Sequence, residues 1–334
     1  MVKAVKMAYS DWLDRRRMMQ AAFFLLFVLA PPLDLLRLDL TLGHFIFMGH
    51  NWTLGIDDFL AGKASASEAA LNIVLRAFLP LAMIVATGFW LAWKYGRLYC
   101  GWLCPHYSVV EMINGLMRRT FGRFSLWDRE PIYPINPDGR RIESQRRYWI
   151  PLLFASSGFA FLWAVVLLSY LLPPAEIYHN LLHAELTHGQ FIFIAVATIA
   201  LFVEFMFARH LFCRYACAVG FFQSLIWMAN KKALVVALDR ERVADCASCH
   251  TACEQACPMR LKPRTIKRKM FTCTECGRCL DACEQVQAGG HGNAGKIQTP
   301  LLQWVNGECA RDVSERDFGK RPDIPGDCFK RKAE

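Results

Sequence analysis

The sequence predicts an α-helical integral membrane protein, with four transmembrane helices in two duplicated hairpins and a small α+β domain built on cysteine clusters. Three observations carry that expectation. The 334 residues are 54% apolar with a mean hydropathy of +0.20, too greasy for one soluble domain. Fourteen cysteines fall in tight groups rather than spreading as a disulfide framework would. A cysteine-bearing segment also recurs after two of the apolar stretches.

The apolar stretches are residues 18–33, 71–93, 150–172 and 190–208. The last three have the length needed to cross a hydrocarbon core of about 30 Å. The first is shorter and ends in Pro31-Pro32. No small-x-small cleavage pattern follows it, so it reads as a span rather than a signal peptide. Lys and Arg are retained on the cytoplasmic side. Residues 1–17 hold Lys3, Lys6, Arg15, Arg16 and Arg17, and the 94–149 loop holds ten cations. The 33–70 loop has only Arg37 and Lys63, and the 173–189 loop has none. Four spans with both termini inside satisfy every loop. The resulting divisions are a cytoplasmic segment 1–17, a transmembrane domain 18–230, a cysteine-rich domain 231–287, and a Gly-rich linker with a charged tail, 288–334. The net charge of +10 resides in those cytoplasmic stretches, so a nucleic-acid partner is not expected.

The second span is followed by RLYCGWLCPHYSVVEM and the fourth by HLFCRYACAVGFFQSL. At a shift of 113 residues, Leu98, Tyr99, Cys100, Trp102 and Cys104 fall on Leu211, Phe212, Cys213, Tyr215 and Cys217. The membrane part therefore reads as a hairpin plus Cys-x3-Cys, made twice. Each pair is expected on one helical face, at i and i+4. If the hairpins meet, the four thiols would hold a third metal centre or the Cu(I) that thiolates favour. The alternative is a set of buried structural thiols.

Downstream, CTECGRCLDAC places Cys273, Cys276, Cys279 and Cys283 at C-x2-C-x2-C-x3-C. Cys246, Cys249, Cys253 and Cys257 form a second run, spaced x2, x3, x3. A tight cysteine triplet plus one more is how a short peptide wraps a [4Fe–4S] cube, and two such runs make a two-cluster ferredoxin-like unit. In that arrangement the fourth cysteine of each run ligates the other cube. Cys246, Cys249, Cys253 and Cys283 then hold one cluster; Cys273, Cys276, Cys279 and Cys257 hold the other. All-thiolate zinc is the alternative, since C-x2-C pairs also suit it. Six cations between the runs, Arg260, Lys262, Arg264, Lys267, Arg268 and Lys269, would favour the reduced clusters and steer an acidic partner.

Other candidates are weaker. His179 and His183 stand at i and i+4 in an outer loop near His188, with His44 and His50 in the other; the spacing suits a metal, and interfacial histidines are the plainer reading. Glu204 and Arg76 lie near span ends, where they can snorkel; a carboxylate there could also take a quinol proton. No G-x-G-x-x-G follows a strand and no nucleophile–base set stands out, which points to an electron carrier rather than a stand-alone enzyme.

Together, the paired hairpins, YCGWLCP, FCRYAC and the two cysteine runs resemble the membrane polyferredoxins: NapH-type proteins, the C-terminal part of NosR-type regulators, and CcoG-type (RdxA or FixG) proteins. The resemblance covers about residues 15–285. It implies iron–sulfur electron transfer at the inner membrane, from the quinone pool or a cytoplasmic donor, towards a respiratory or maturation partner. For the CcoG type it implies copper reduction for oxidase assembly. Ala218 stands where the family usually has Pro, and the first run is irregular. The chain stops before the extra outer domain of the CcoG type, so the NapH-like architecture is the closer match.

Overall fold

The computed structural model describes residues 8–128, 132–134, 141, 143–246, 249–288 and 300–310. The Gly-rich stretch expected as a linker and the tail beyond 310 lie outside them. The chain forms two compact units, neither continuous in sequence.

One unit comprises Phe23–Trp90 and Leu153–Met206. Among the described residues, three helices are long and apolar enough to cross a membrane: Ala66–Tyr95, Arg146–Ser169 and His188–Ala208, each with one end outside this unit. Two begin at full capping boxes, Ser65 with Glu68 and Thr187 with Gln190, which satisfy otherwise orphaned backbone N–H groups. Only 6% of the most apolar window of Ala66–Tyr95 is buried, and Ile84 is 70% exposed, as a lipid-facing helix requires. The helix expected around 18–33 runs Ala8–Leu29. It starts among Asp11, Asp14 and Arg15–Arg17, and only its second half is apolar, so it is not among the three.

The 33–70 loop carries a small antiparallel meander that the sequence reading did not anticipate: β1 (Leu36–Asp39), β2 (His44–Phe47) and β3 (His50–Trp52). Arg37 pins it by bridging Asp34 and Asp39 at 2.5 and 2.6 Å. The core of this unit is Ala164, Val165, Leu168, Ile177 and Ile194. Arg76 is spent locally, donating to the Thr53 carbonyl at 3.1 Å. His179 and His183 bring their rings to 4.2 Å.

The other unit comprises residues 1–22, 91–152 and 207–334. At its centre β4 (Leu234–Leu238) pairs antiparallel with β5 (Leu302–Asn306), which lies past the boundary expected at 287. Alternate residues of a strand face opposite sides. Val235 and Ala237 pack with Cys257, Cys104, Cys213 and Cys273; Val236 and Leu238 pack with Cys253, Cys279, Cys246 and Cys283. One short sheet therefore serves two thiol-rich cores.

Candidate functional site

Both Cys-x3-Cys copies fold alike, but not as a single helix. Leu98–Trp102 and Phe212–Ala216 are one helical turn each, and each is closed by an N–H reaching back five residues: Cys104 to the Tyr99 carbonyl and Cys217 to that of Phe212, both at 2.9 Å. Cys104 and Cys217 then adopt extended backbone and cap the next helices, Pro105–Phe121 and Ala218–Ala229. The expectation of both thiols on one helical face is thus corrected. The break turns the second thiol of each pair towards a helix N-terminus, where the His106 and Tyr107 N–H groups meet Cys104.

Three of the four thiols, Cys100, Cys213 and Cys217, gather around Arg97, a residue counted in the sequence only as one of many loop cations. Its guanidinium is 1% exposed and donates to Ser224 Oγ at 2.5 Å and the Cys213 carbonyl at 2.7 Å. Cys100, Cys217, Cys213 and Cys273 all act on it electrostatically. Gly220 leaves room for it, since a Cβ there would stand 2.9 Å from Arg97 Nη1. Burial pushes the Cys100 thiol up to about 12, with Cys104 adding to the shift.

The downstream cysteines form two neighbourhoods. Cys246, Cys249, Cys253 and Cys283 act on one another, and so do Cys257, Cys273, Cys276 and Cys279. Cys283 stands with the first run and Cys257 with the second; Cys279 also feels Cys253, between the two groups. A small cavity is lined by Cys257, Cys273, Cys276 and Cys279. Burial pushes Cys253 and Cys257 up to about 12. A hydrogen bond between Cys246 and Cys249 holds the Cys249 thiol below the usual range and raises that of Cys246. Metal loading of such buried thiols releases protons. The backbone N–H groups of Leu301 and Leu302 meet the Cys283 sulfur, a role for β5 and the turn before it that no motif announced. Among the described residues no three His, Cys, Asp or Glu side chains converge on a single-ion site.

The first Cys-x3-Cys copy docks directly on the second cysteine run. Trp102 Nε1 donates to the Glu275 carbonyl at 3.3 Å, and Tyr107 and Thr274 hydroxyls pair at 3.2 Å. The Gly101 carbonyl accepts from Arg16 Nε at 2.8 Å and Gln20 Nε2 at 3.2 Å. Arg16, read from the sequence as a topology signal, is 1% exposed; it pairs with buried Glu111 at 2.5 Å, which also meets Arg278 at 2.8 Å. The only sequence hint is helical spacing, since Trp12, Arg16 and Gln20 share a face.

Burial alone would raise the Glu111 carboxyl, but Arg278 and Arg16 hold it below the usual range. A depressed carboxyl contributes stability above its unfolded pKa and loses it as pH falls through the folded value. Glu111→Gln is expected to cost about 3–5 kcal/mol by leaving Arg16 buried and unpaired. It should also flatten the loss of thermal midpoint that the unaltered chain shows below about pH 4.3. A midpoint series from pH 7 to 3 on both proteins checks it.

Of the six cations between the runs, Lys267, Arg264 and Arg260 meet partners within the fold. Buried Lys267 donates to the Trp227 and Asn230 carbonyls, Arg264 pairs with Glu254 at 2.7 Å, and Arg260 lies 3.5 Å from Asp128.

The family described as 4Fe-4S binding domain matches residues 76–123 and again 189–234. The two matches begin 113 residues apart, the shift of the internal repeat, and each encloses one Cys-x3-Cys pair. The chain is 21% identical over 224 residues to the putative electron transport protein YccM of Escherichia coli, covering 67% of this chain and 56% of YccM. It is 24% identical over 226 residues to the ferredoxin-type protein NapH of Escherichia coli, covering 66% and 69%. It is 26% identical over 207 residues to protein RdxA of Cereibacter sphaeroides, covering 57% and 40%. The chain thus spans less than two thirds of YccM and of RdxA. No solved structure matches.

Proposed function

We propose that this chain is a 4Fe–4S-binding membrane polyferredoxin and that it carries electrons at the inner membrane between the quinone pool or a cytoplasmic donor and a respiratory or maturation partner. The observation that carries the reading is the sorting of eight thiols into two groups of four, with Cys257 and Cys283 exchanged between the runs. Iron–sulfur clusters supply one-electron chemistry when bound. Cys246, Cys249, Cys253 and Cys283 would hold one cluster, and Cys273, Cys276, Cys279 and Cys257 the other. The protein's part is to bury these sites, donate N–H groups to their sulfurs and keep them close enough for an electron to step between them.

Cys100, Cys104, Cys213 and Cys217 are proposed to hold a further iron–sulfur centre. Both 4Fe–4S family matches fall on these segments, and Arg97 offsets the negative charge that gathers when buried thiols lose their protons. The Gly101–Thr274 contact makes this centre and the second run one packed body. Four spans with the cysteine runs on the cytoplasmic side fit the distribution of Lys and Arg.

The test is electron paramagnetic resonance on anaerobically purified protein. A quinol analogue is expected to bring up signals of reduced [4Fe–4S] clusters, which places the donor in the quinone pool. Signals with dithionite alone would move the donor to the cytoplasm. Zinc in place of iron, with no cluster signal under either reductant, overturns the carrier reading.

A further inference from the structure

A cleft of about 590 Å³ opens between the Arg214–Phe221 segment and the Arg260–Thr272 segment, within one unit. Five cations line it: Arg214, Arg260, Lys262, Arg268 and Lys269. No acidic residue is among the lining residues, although Asp128 approaches Arg260 at 3.5 Å from outside. Lys262 and Lys269 are exposed. Thr272 is 5% exposed, and its hydroxyl has no hydrogen-bond partner among the described residues. A buried hydroxyl without a partner costs free energy that a ligand oxygen would recover.

The cleft also has an apolar wall that continues out of it. Tyr215, Phe221 and Phe271 line it, with the two phenyl rings 5.9 Å apart. Beyond them, the Ala218–Ala229 helix leaves Val219 58% and Phe222 60% exposed. A cationic pocket running into an uncovered apolar helix face matches a molecule with an anionic head and a greasy tail. The volume is far more than a free phosphate ion occupies. A concave pocket also suits a head group better than the flat face of a protein.

We propose that this cleft binds the head group of an anionic phospholipid, with the phosphate among Arg214, Lys262, Lys269 and the Thr272 hydroxyl and the acyl chains along Val219 and Phe222. The lipid would fix the cysteine-bearing turn Phe212–Ala216 against the membrane surface, since Arg214 lies between Cys213 and Cys217. The site goes beyond the electron-carrier reading and does not depend on cluster content.

Native mass spectrometry of the full chain in detergent tests it, titrating dioleoylphosphatidylglycerol, dioleoylphosphatidylcholine and glycerol 3-phosphate in parallel. Saturable binding of the phosphatidylglycerol is expected, with the triple variant R214Q/K262Q/K269Q weaker by roughly a hundredfold. The control pair R146Q/R147Q, two exposed cations elsewhere, is expected to bind like the unaltered chain. V219S/F222S should weaken phosphatidylglycerol and leave glycerol 3-phosphate unaffected. Equal affinity for phosphatidylcholine, full affinity in the triple variant, or equal loss in the control pair overturns the proposal. Glycerol 3-phosphate binding as tightly as the lipid would make this a site for free phosphate esters and overturn it too. Absorbance near 400 nm on the same samples reports the clusters separately, so loss of lipid and loss of iron are told apart.

Discussion

Cys283→Ser is expected to remove the cluster associated with the first cysteine run while leaving that of its own run in place. Cys283 acts on Cys249 and, with Cys249 and Cys253, on Cys246, and it takes N–H contacts from Leu301 and Leu302. Cys257→Ser should do the converse, since Cys257 lines the same cavity as Cys273, Cys276 and Cys279. Iron associated with the two runs should fall by about half in each variant, because each cube needs four ligands. Paired variants separate this from simple run-by-run ligation. Adding Cys249→Ser to Cys283→Ser should remove no further iron, whereas adding Cys276→Ser should remove the remaining half. The reverse pattern in iron analysis and spin quantitation would show that each run holds its own cluster.

Gly101→Ala is expected to separate the first Cys-x3-Cys segment from the second cysteine run. A Cβ at Gly101 would run into the Thr274 carbonyl oxygen, and that obstacle is backbone, which cannot swing aside as a side chain can. Overpacking of this kind costs about 1–3 kcal/mol or more. Here the displacement also pulls on the Gly101 carbonyl held by buried Arg16 and Gln20. Loss of cluster absorbance and a lower thermal midpoint are the expected readouts. Gly115→Ala is the control, since nothing lies within 4 Å of the added carbon. Gly115 sits inside the Pro105–Phe121 helix, so alanine there should raise the midpoint by removing roughly 1 kcal/mol of helix cost. Equal behaviour of the two variants would mean that the contact with Thr274 does not hold the two segments together.

Much of this was legible in the chain because it is written over short distances. Apolar runs longer than a bilayer is thick identified the helices Ala66–Tyr95, Arg146–Ser169 and His188–Ala208. The 113-residue shift anticipated two structurally similar turns, and the same shift separates the two family matches. Spacing within CTECGRCLDAC pointed to cluster chemistry without a homologue in view. The same local reading failed where the backbone breaks. Cys-x3-Cys suggests i and i+4 on one helix, but the closing bonds from Cys104 and Cys217 end one turn and begin another.

Charge was where the sequence misled most. Arg16, Arg97 and Lys267 count in any sequence as cations on a cytoplasmic surface, yet all three are buried. Their partners lie far along the chain: Glu111 for Arg16, Ser224 and Cys213 for Arg97, Trp227 for Lys267. β5 was missed for the same reason, since its five residues gain meaning only against Leu234–Leu238.

The sequence by itself determined what depends on neighbours within a few residues: apolar length, loop charge, the spacing of thiols and the repeat that doubles them. The tertiary structure alone decided which thiols share a space, which cations are buried and where an open basic cleft remains. Those depend on contacts between segments as distant as Trp102 and Glu275, 173 residues apart, and a buried charge is tolerable only where folding delivers its partner.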